Sequence, residues 1–241
     1  MNDRLRLVVF DVDGTLVDSQ ADIVSCMNVA FARMKQPEPA RADVLGLVGL
    51  SLGVLVPKLA PNLTPADHAQ LIRAYKDAYT SHRQIAGTVA SSPLYEGALE
   101  CLHRLNAMPD VLLGVATGKS KRGLDKLIEG HGLEGLFVTQ QVADFHPSKP
   151  HPAMLHTAMA EVGVNSADAI MIGDTSFDMD MAASAGMRSI GVNWGYHTPE
   201  KLQAATRLVD RFDQLETALP EMWSEEVWVT GSKSGSGQML V

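Results

Sequence analysis

Short apolar runs recur along this chain and restrict it to few folds. The first is LRLVVF at residues 5–10; Val111–Ala116, Phe137–Val142, Ala169–Gly173 and Ser189–Val192 follow. Runs of this length, rich in β-branched residues and without polar alternation, read as strands buried on both faces. Helical segments separate the later ones. Ser120 caps a helix to about Glu129, with Gly130 and Gly132 as stop signals. Pro152 opens another that runs to about Val162 before Gly163, and Thr198-Pro199 begins a third. Strands alternating with helices form a parallel sheet covered on both faces, so the expected class is α/β with a Rossmann-like core.

Residues 19–91 break the alternation. Ile23, Met27, Ala30, Phe31 and Met34 fall at helical spacing, and Thr64-Pro65-Ala66-Asp67 opens a helical pattern to about His82. The predicted organisation is an α/β core from residues 1–18 and 92–223, with an all-helical domain from 19–91 inserted after the first strand. A Gly/Ser-rich tail over 224–241 is expected to be flexible. Leu52, Val54 and Leu55 belong either to the core of the insertion or to an interface, and the oligomeric state is left open.

The composition narrows the partners. Lys plus Arg is 20 and Asp plus Glu is 28, a net charge of −8 that disfavours nucleic acid or an anionic membrane as the main partner. Cys26 and Cys101 lie far apart in no CxxC pattern, which excludes a disulfide scaffold or a Cys-rich zinc site. No membrane span is expected, because no run approaches the required apolar length. The N-terminal arginines lead into Leu7-Val8-Val9-Phe10-Asp11 rather than a signal sequence. The expected location is the cytoplasm.

Ligands of open parallel sheets bind beyond the carboxyl ends of the strands. Here those ends carry reactive side chains. The first strand ends in Asp11 and Asp13, with Gly14 permitting a tight turn; another ends in Thr117, Gly118 and Lys119. A later loop carries Lys149, and a further strand ends in Asp174, with Asp178 one helical turn beyond. Two residues apart on extended backbone, Asp11 and Asp13 share a face. Carboxylates at this density repel unless a cation neutralises them, and oxygen ligands without Cys or His point to Mg²⁺.

These residues carry a resemblance. Asp11-Val12-Asp13-Gly14-Thr15-Leu16-Val17-Asp18-Ser19 resembles the first motif of the haloacid dehalogenase (HAD) superfamily. Thr117, Lys149-Pro150-His151-Pro152 and Gly173-Asp174-Thr175-Ser176-Phe177-Asp178 resemble the remaining motifs, in order. The layout is similar to phosphoglycolate-phosphatase-like members with an α-helical cap. The resemblance implies Mg²⁺-dependent hydrolysis of a small phosphate monoester through an aspartyl-phosphate. Asp11 is then the nucleophile and Asp13 the general acid and base. Thr117, the Gly118 N–H and Lys149 bind the phosphoryl group, and Lys149 also positions Asp11. Asp11, the Asp13 carbonyl, Asp174 and Asp178 hold the metal. A hinge near residues 17–20 and 90–94 lets the cap close.

Two departures stand out. Glycine occupies position 118 where an asparagine is common, and the cap loop Val48-Gly49-Leu50-Ser51-Leu52 carries no Arg or Lys. A phosphosugar mutase of the same superfamily, which needs a base in that loop, and a catalytically silent binding protein are the alternatives. Asp180 falls off the Asp174–Asp178 face and is expected in solvent. Asp18 and Ser19 are assigned to capping the first inserted helix. His146, His151 and His197 show no metal-ligand spacing and are assigned to loop packing.

Overall fold

The computed structural model describes residues 4–224, so the tail predicted from 224 lies, Ser224 apart, outside the described residues. The first strand, β1 (Arg6–Phe10), runs through the middle of a six-stranded sheet. On one side come β2 (Val111–Thr117) and β3 (Phe137–Val142). On the other come β4 (Ala169–Gly173), β5 (Arg188–Val192) and β6 (Arg207–Val209), giving the order β3-β2-β1-β4-β5-β6. Every pairing is parallel. Phe10 pairs with Val115 on one side and Ile172 on the other, so the carboxyl ends of β1, β2 and β4 finish at one level. The chain reverses direction across the sheet between β1 and β4, which opens a crevice there.

Between β1 and β2 the chain forms α1 (Gln20–Arg33), α2 (Arg41–Leu45), α3 (Leu52–Leu59), α4 (Pro65–Ala86) and α5 (Thr88–Ser91). Thr64 and Asp67 close a reciprocal capping box at the start of α4, with Pro65 preset for the first turn. These helices bury a core of their own, with Met27, Phe31, Val44, Leu55 and Leu71 at its centre. Leu55 is thus core, whereas Val54 is exposed. The two connections to the sheet run side by side: the Asp18 N–H donates to the Pro93 carbonyl (2.9 Å) and the Tyr95 N–H to the Leu16 carbonyl (3.0 Å).

The pleat sorts the sheet into two faces. Val8 and Phe10 pack under α6 (Ala98–Asn106), α7 (Lys121–His131) and α10 (Leu215–Ser224). Leu7 and Val9 pack under α8 (Ala153–Val162) and α9 (Ser176–Ser184). Ser120 caps α7 by accepting from the Gly123 N–H (3.2 Å), and Gly132 ends that helix in the left-handed region.

After residue 193 one expectation is corrected and one strand is not foreseen from the sequence. The helix expected from Thr198-Pro199 is a single 3₁₀ turn, Pro199–Lys201. Leu202 is fully buried, and the Ala205 N–H closes onto its carbonyl, so the chain turns back instead of coiling on. It then adds β6 as an edge strand. Three residues with two exposed side chains offer no apolar run by which to find it. Among the described residues, no helix is long and apolar enough to cross a membrane.

Leu102 on α6 is fully buried against the sheet. Leu102→Ala is expected to cost about 2–5 kcal/mol, read as a lower midpoint in urea unfolding followed by circular dichroism.

Candidate active site

Asp11 is the first residue beyond β1, tied to the neighbouring strand by its N–H on the Ile172 carbonyl (2.9 Å). The chain then turns sharply, with the Leu16 N–H on Val12 and the Gly14 N–H on Val17, both at 2.9 Å. Gly14 sits at φ +86°, and a Cβ there would meet Asp174 Oδ2 at 2.2 Å. The glycine therefore does two things: it permits the turn and lets the backbone lie against the carboxylate from β4.

Asp11, Asp174 and Asp178 are all buried, each offering an oxygen within 4.8 Å of the others. Lys149 is buried among them. Its Nζ is 2.9 Å from Asp11 Oδ1 and 2.6 Å from Asp178 Oδ1. Burial alone would lower the ammonium's pKa, but the charges of Asp11 and Asp178 outweigh it and hold the pKa above the usual lysine value. One ammonium does not balance three carboxylates. Burial pushes the Asp11 carboxyl up to about 7; the Lys149 charge opposes the shift and that of Asp178 adds to it. Burial, then the charges of Asp178 and Asp11, raise Asp174 well above the carboxylate range, despite hydrogen bonds from Thr15 Oγ1 (3.0 Å) and the Tyr196 N–H (2.8 Å).

The three acids differ in their hydrogen bonding. Asp178 is fully engaged, with Oδ1 on Lys149 and Oδ2 accepting from the Thr175 N–H (3.1 Å) and hydroxyl (2.7 Å) in a capping box for α9. Both oxygens of Asp11 are buried without a well-aligned donor. A buried carboxylate in that condition is costly unless a cation meets it. The donor set is all oxygen, which fits a hard divalent ion such as Mg²⁺.

Asp13 points into the same crevice but is held differently. Lys119 Nζ lies 2.6 and 2.7 Å from its two oxygens, and the Ser19 hydroxyl donates to Oδ1. The Ser19 N–H in turn donates to the Tyr196 hydroxyl (3.2 Å). Ser19 does occupy the N-cap position of α1, yet its side chain makes no cap bond, so the expected capping role is corrected: the hydroxyl serves Asp13. Asp18 accepts from the Gln20 N–H (3.3 Å) at that helix start. Thr117 is buried at the end of β2, its hydroxyl oxygen accepting from the Lys119 N–H (3.2 Å).

The chain as a whole has relatives among known proteins. The sequence model of the family described as haloacid dehalogenase-like hydrolase matches residues 8–192, most of the chain. The chain belongs to that family. A probable phosphatase, IndB, of Dickeya dadantii is 34% identical to this hydrolase over 213 residues, covering 87% of this chain and 91% of that protein. A phosphoglycolate phosphatase of Aliivibrio fischeri is 29% identical over 206 residues, covering 84% and 90% respectively. The crystal structure of a predicted phosphoglycolate phosphatase from Haemophilus somnus superposes with a TM-score of 0.78 at 25% identity, over 90% of this chain and 99% of that one.

In this hydrolase a cavity of about 610 Å³ lies between the sheet and the insertion, lined by Asp11, Asp13, Thr117 and Gly118 from the core. Asp174, Asp178 and Lys149 do not line it but gather around Asp11, which does. The glycine at 118 has a packing reason: a Cβ there would lie 2.6 Å from the Gly49 carbonyl of the insertion loop, leaving no room for an amide side chain. That loop brings only apolar side chains and glycine to the cavity, as its sequence implies. Asp180 is exposed. His197 bridges the insertion and α9, its Nδ1 accepting from the Ser176 N–H (3.0 Å) and its Nε2 facing the Gly46 carbonyl (3.2 Å). His146 and His151 also make loop contacts. Sequence reading missed Lys119 as the partner of Asp13, although it directly follows Thr117-Gly118. It also missed Tyr196, which no motif marks.

Two glycines separate turn strain from site geometry. Gly132 has φ +65° and nothing within 4 Å of where a Cβ would stand, so Gly132→Ala is expected to cost about 1–2 kcal/mol. Gly14→Ala adds the collision with Asp174 and is expected to cost clearly more, measured by paired urea denaturation.

Proposed function

We propose that this hydrolase cleaves small phosphate monoesters in a Mg²⁺-dependent reaction that passes through an acyl phosphate on Asp11, an aspartyl-phosphate. The observation that carries the reading is the buried cluster of Asp11, Asp174 and Asp178, in which the one ammonium, Lys149, is shared between Asp11 and Asp178 and leaves the acids in excess at the strand-order reversal. The names of the relatives support the same class of reaction.

Asp11, Asp174 and the Asp13 carbonyl would hold Mg²⁺, with Asp178 assisting from its place on Lys149. When bound, the ion supplies positive charge that stabilises Asp11 as a carboxylate and the phosphate beside it. An Asp11 oxygen attacks phosphorus, and the bond to the leaving oxygen breaks. Asp13 gives that oxygen a proton, then takes one from the water that attacks phosphorus in the aspartyl-phosphate and frees Asp11. The Thr117 hydroxyl, the Gly118 N–H and the Lys149 ammonium meet the charge on the transferring group. Ser19 and Lys119 fix the direction of Asp13. The helical insertion covers the cavity and excludes bulk water when it closes.

Phosphate release from a generic ester such as phenyl phosphate is expected with Mg²⁺, to be lost on chelation and to need no bisphosphate activator, which separates it from a mutase. Asp11→Asn is expected to lower the rate by roughly 10⁴-fold or more. Asp13→Asn is expected to trap phosphoenzyme, visible by intact-protein mass spectrometry. Turnover retained in Asp11→Asn would reject the nucleophile.

A further inference from the structure

Away from the acid cluster the cavity has the opposite electrostatic character, on the insertion and on α7 of the core. In a chain with a net charge of −8, Lys76 and Arg83 from α4 and Arg122 from α7 all line it. None of the three has an ion-pair partner among the described residues. Arg83 is the most constrained. Its guanidinium carbon lies 5.1 Å from the centre of the Tyr79 ring, and its Nε is buried with no hydrogen-bond partner. Lys119, already bound to Asp13, lies 5.5 Å from the same ring. Arg83 thus stands one aromatic ring away from the lysine of the reaction centre. An unmet buried donor on a guanidinium is costly, and its forked geometry suits a carboxylate or phosphate.

The wall beside these cations is apolar: Met27, Leu50, Leu55 and Tyr75 contribute to it. Cavities of several hundred Å³ accommodate ligands of many heavy atoms, and a two-carbon phosphate ester would leave most of 610 Å³ unfilled. The basic groups also come from helices, not from the loop at 46–56 where the sequence shows none.

We infer that the substrate is a phosphate monoester whose leaving group has an apolar or aromatic body and carries a second anionic group, bound by Arg83 in the cavity that Arg122 of α7 also lines. The inference rests on the phosphatase reading above and specifies its substrate class. The scissile phosphate sits at Asp11, the body lies along Tyr79 and Leu55, and the second anion supplies the partner that Arg83 lacks.

The test compares 4-carboxyphenyl phosphate with its neutral isostere, 4-carbamoylphenyl phosphate, by kcat/KM with Mg²⁺. The anionic ester is expected to be preferred by roughly 10-fold or more, in line with a charge-assisted hydrogen bond. Arg83→Gln is expected to remove most of that preference through KM, and Arg83→Lys to keep part of it. Arg73→Gln, exposed on the same helix and outside the cavity, is expected to leave the preference intact. The ratio is taken within each variant, so it does not depend on the fraction folded. Equal rates for the two esters in the unmodified enzyme, a preference that survives Arg83→Gln, or faster turnover of phosphoglycolate than of the carboxyaryl ester would overturn the inference while leaving the phosphatase reading standing. If neither these esters nor phenyl phosphate is hydrolysed, the phosphatase reading fails and the inference falls with it.

Discussion

Three buried carboxylates around one buried ammonium set the terms for the rest of the molecule. Removing such charges from water costs several kcal/mol each unless they are paired. Lys149 offsets part of that cost through Asp11 and Asp178. The strand order makes the arrangement possible by placing β1 and β4 side by side, so that Asp11 and Asp174 leave the sheet at the same level. Backbone gives way to them: a Cβ at Gly195 would come within 2.1 Å of Asp174, as one at Gly14 would from the other side. The residual imbalance of charge is felt at both Asp11 and Asp174, whose carboxyls burial pushes up.

Asp13 belongs to a different network although it is only two residues away. Its partners come from three separate stretches: Ser19 at the start of α1, Lys119 after β2, and Tyr196, through Ser19, after β5. Any displacement of the start of α1 would therefore be felt at Asp13. The same segment is laced to the return connection by the Asp18–Pro93 and Tyr95–Leu16 hydrogen bonds. The geometry couples the position of the insertion to the residue assigned to proton transfer.

The cavity between sheet and insertion combines two contrasting chemistries. The sheet side brings the carboxylates Asp11 and Asp13 with Thr117 and Gly118. The helices bring aromatic and aliphatic surface with unpaired cations. In the proposed reaction the sheet would supply the chemistry while α4 and α7 select what is attached to the phosphate.

The sequence by itself determined the parallel α/β class, the five longer strands and the helical character of residues 19–91. Continuous apolar runs and helix caps are local signals, and local physics is enough to read them. It also pointed to the acids, Thr117 and Lys149, through the order of the motifs that hold them and not through any one residue, since Thr117 alone would read as a helix cap and Lys149 alone as a surface lysine. Tertiary structure alone decided the rest. The edge strand β6 is made by pairing with β5 rather than by its own three residues. Gly118 is explained by the Gly49 carbonyl packed against it. Ser19 and Lys119 meet at Asp13 from distant parts of the chain, and Arg83 reaches the cavity only because α4 is brought to the same opening as the end of β2. Such pairings depend on which distant segments the core brings together, and no local pattern of residues encodes that.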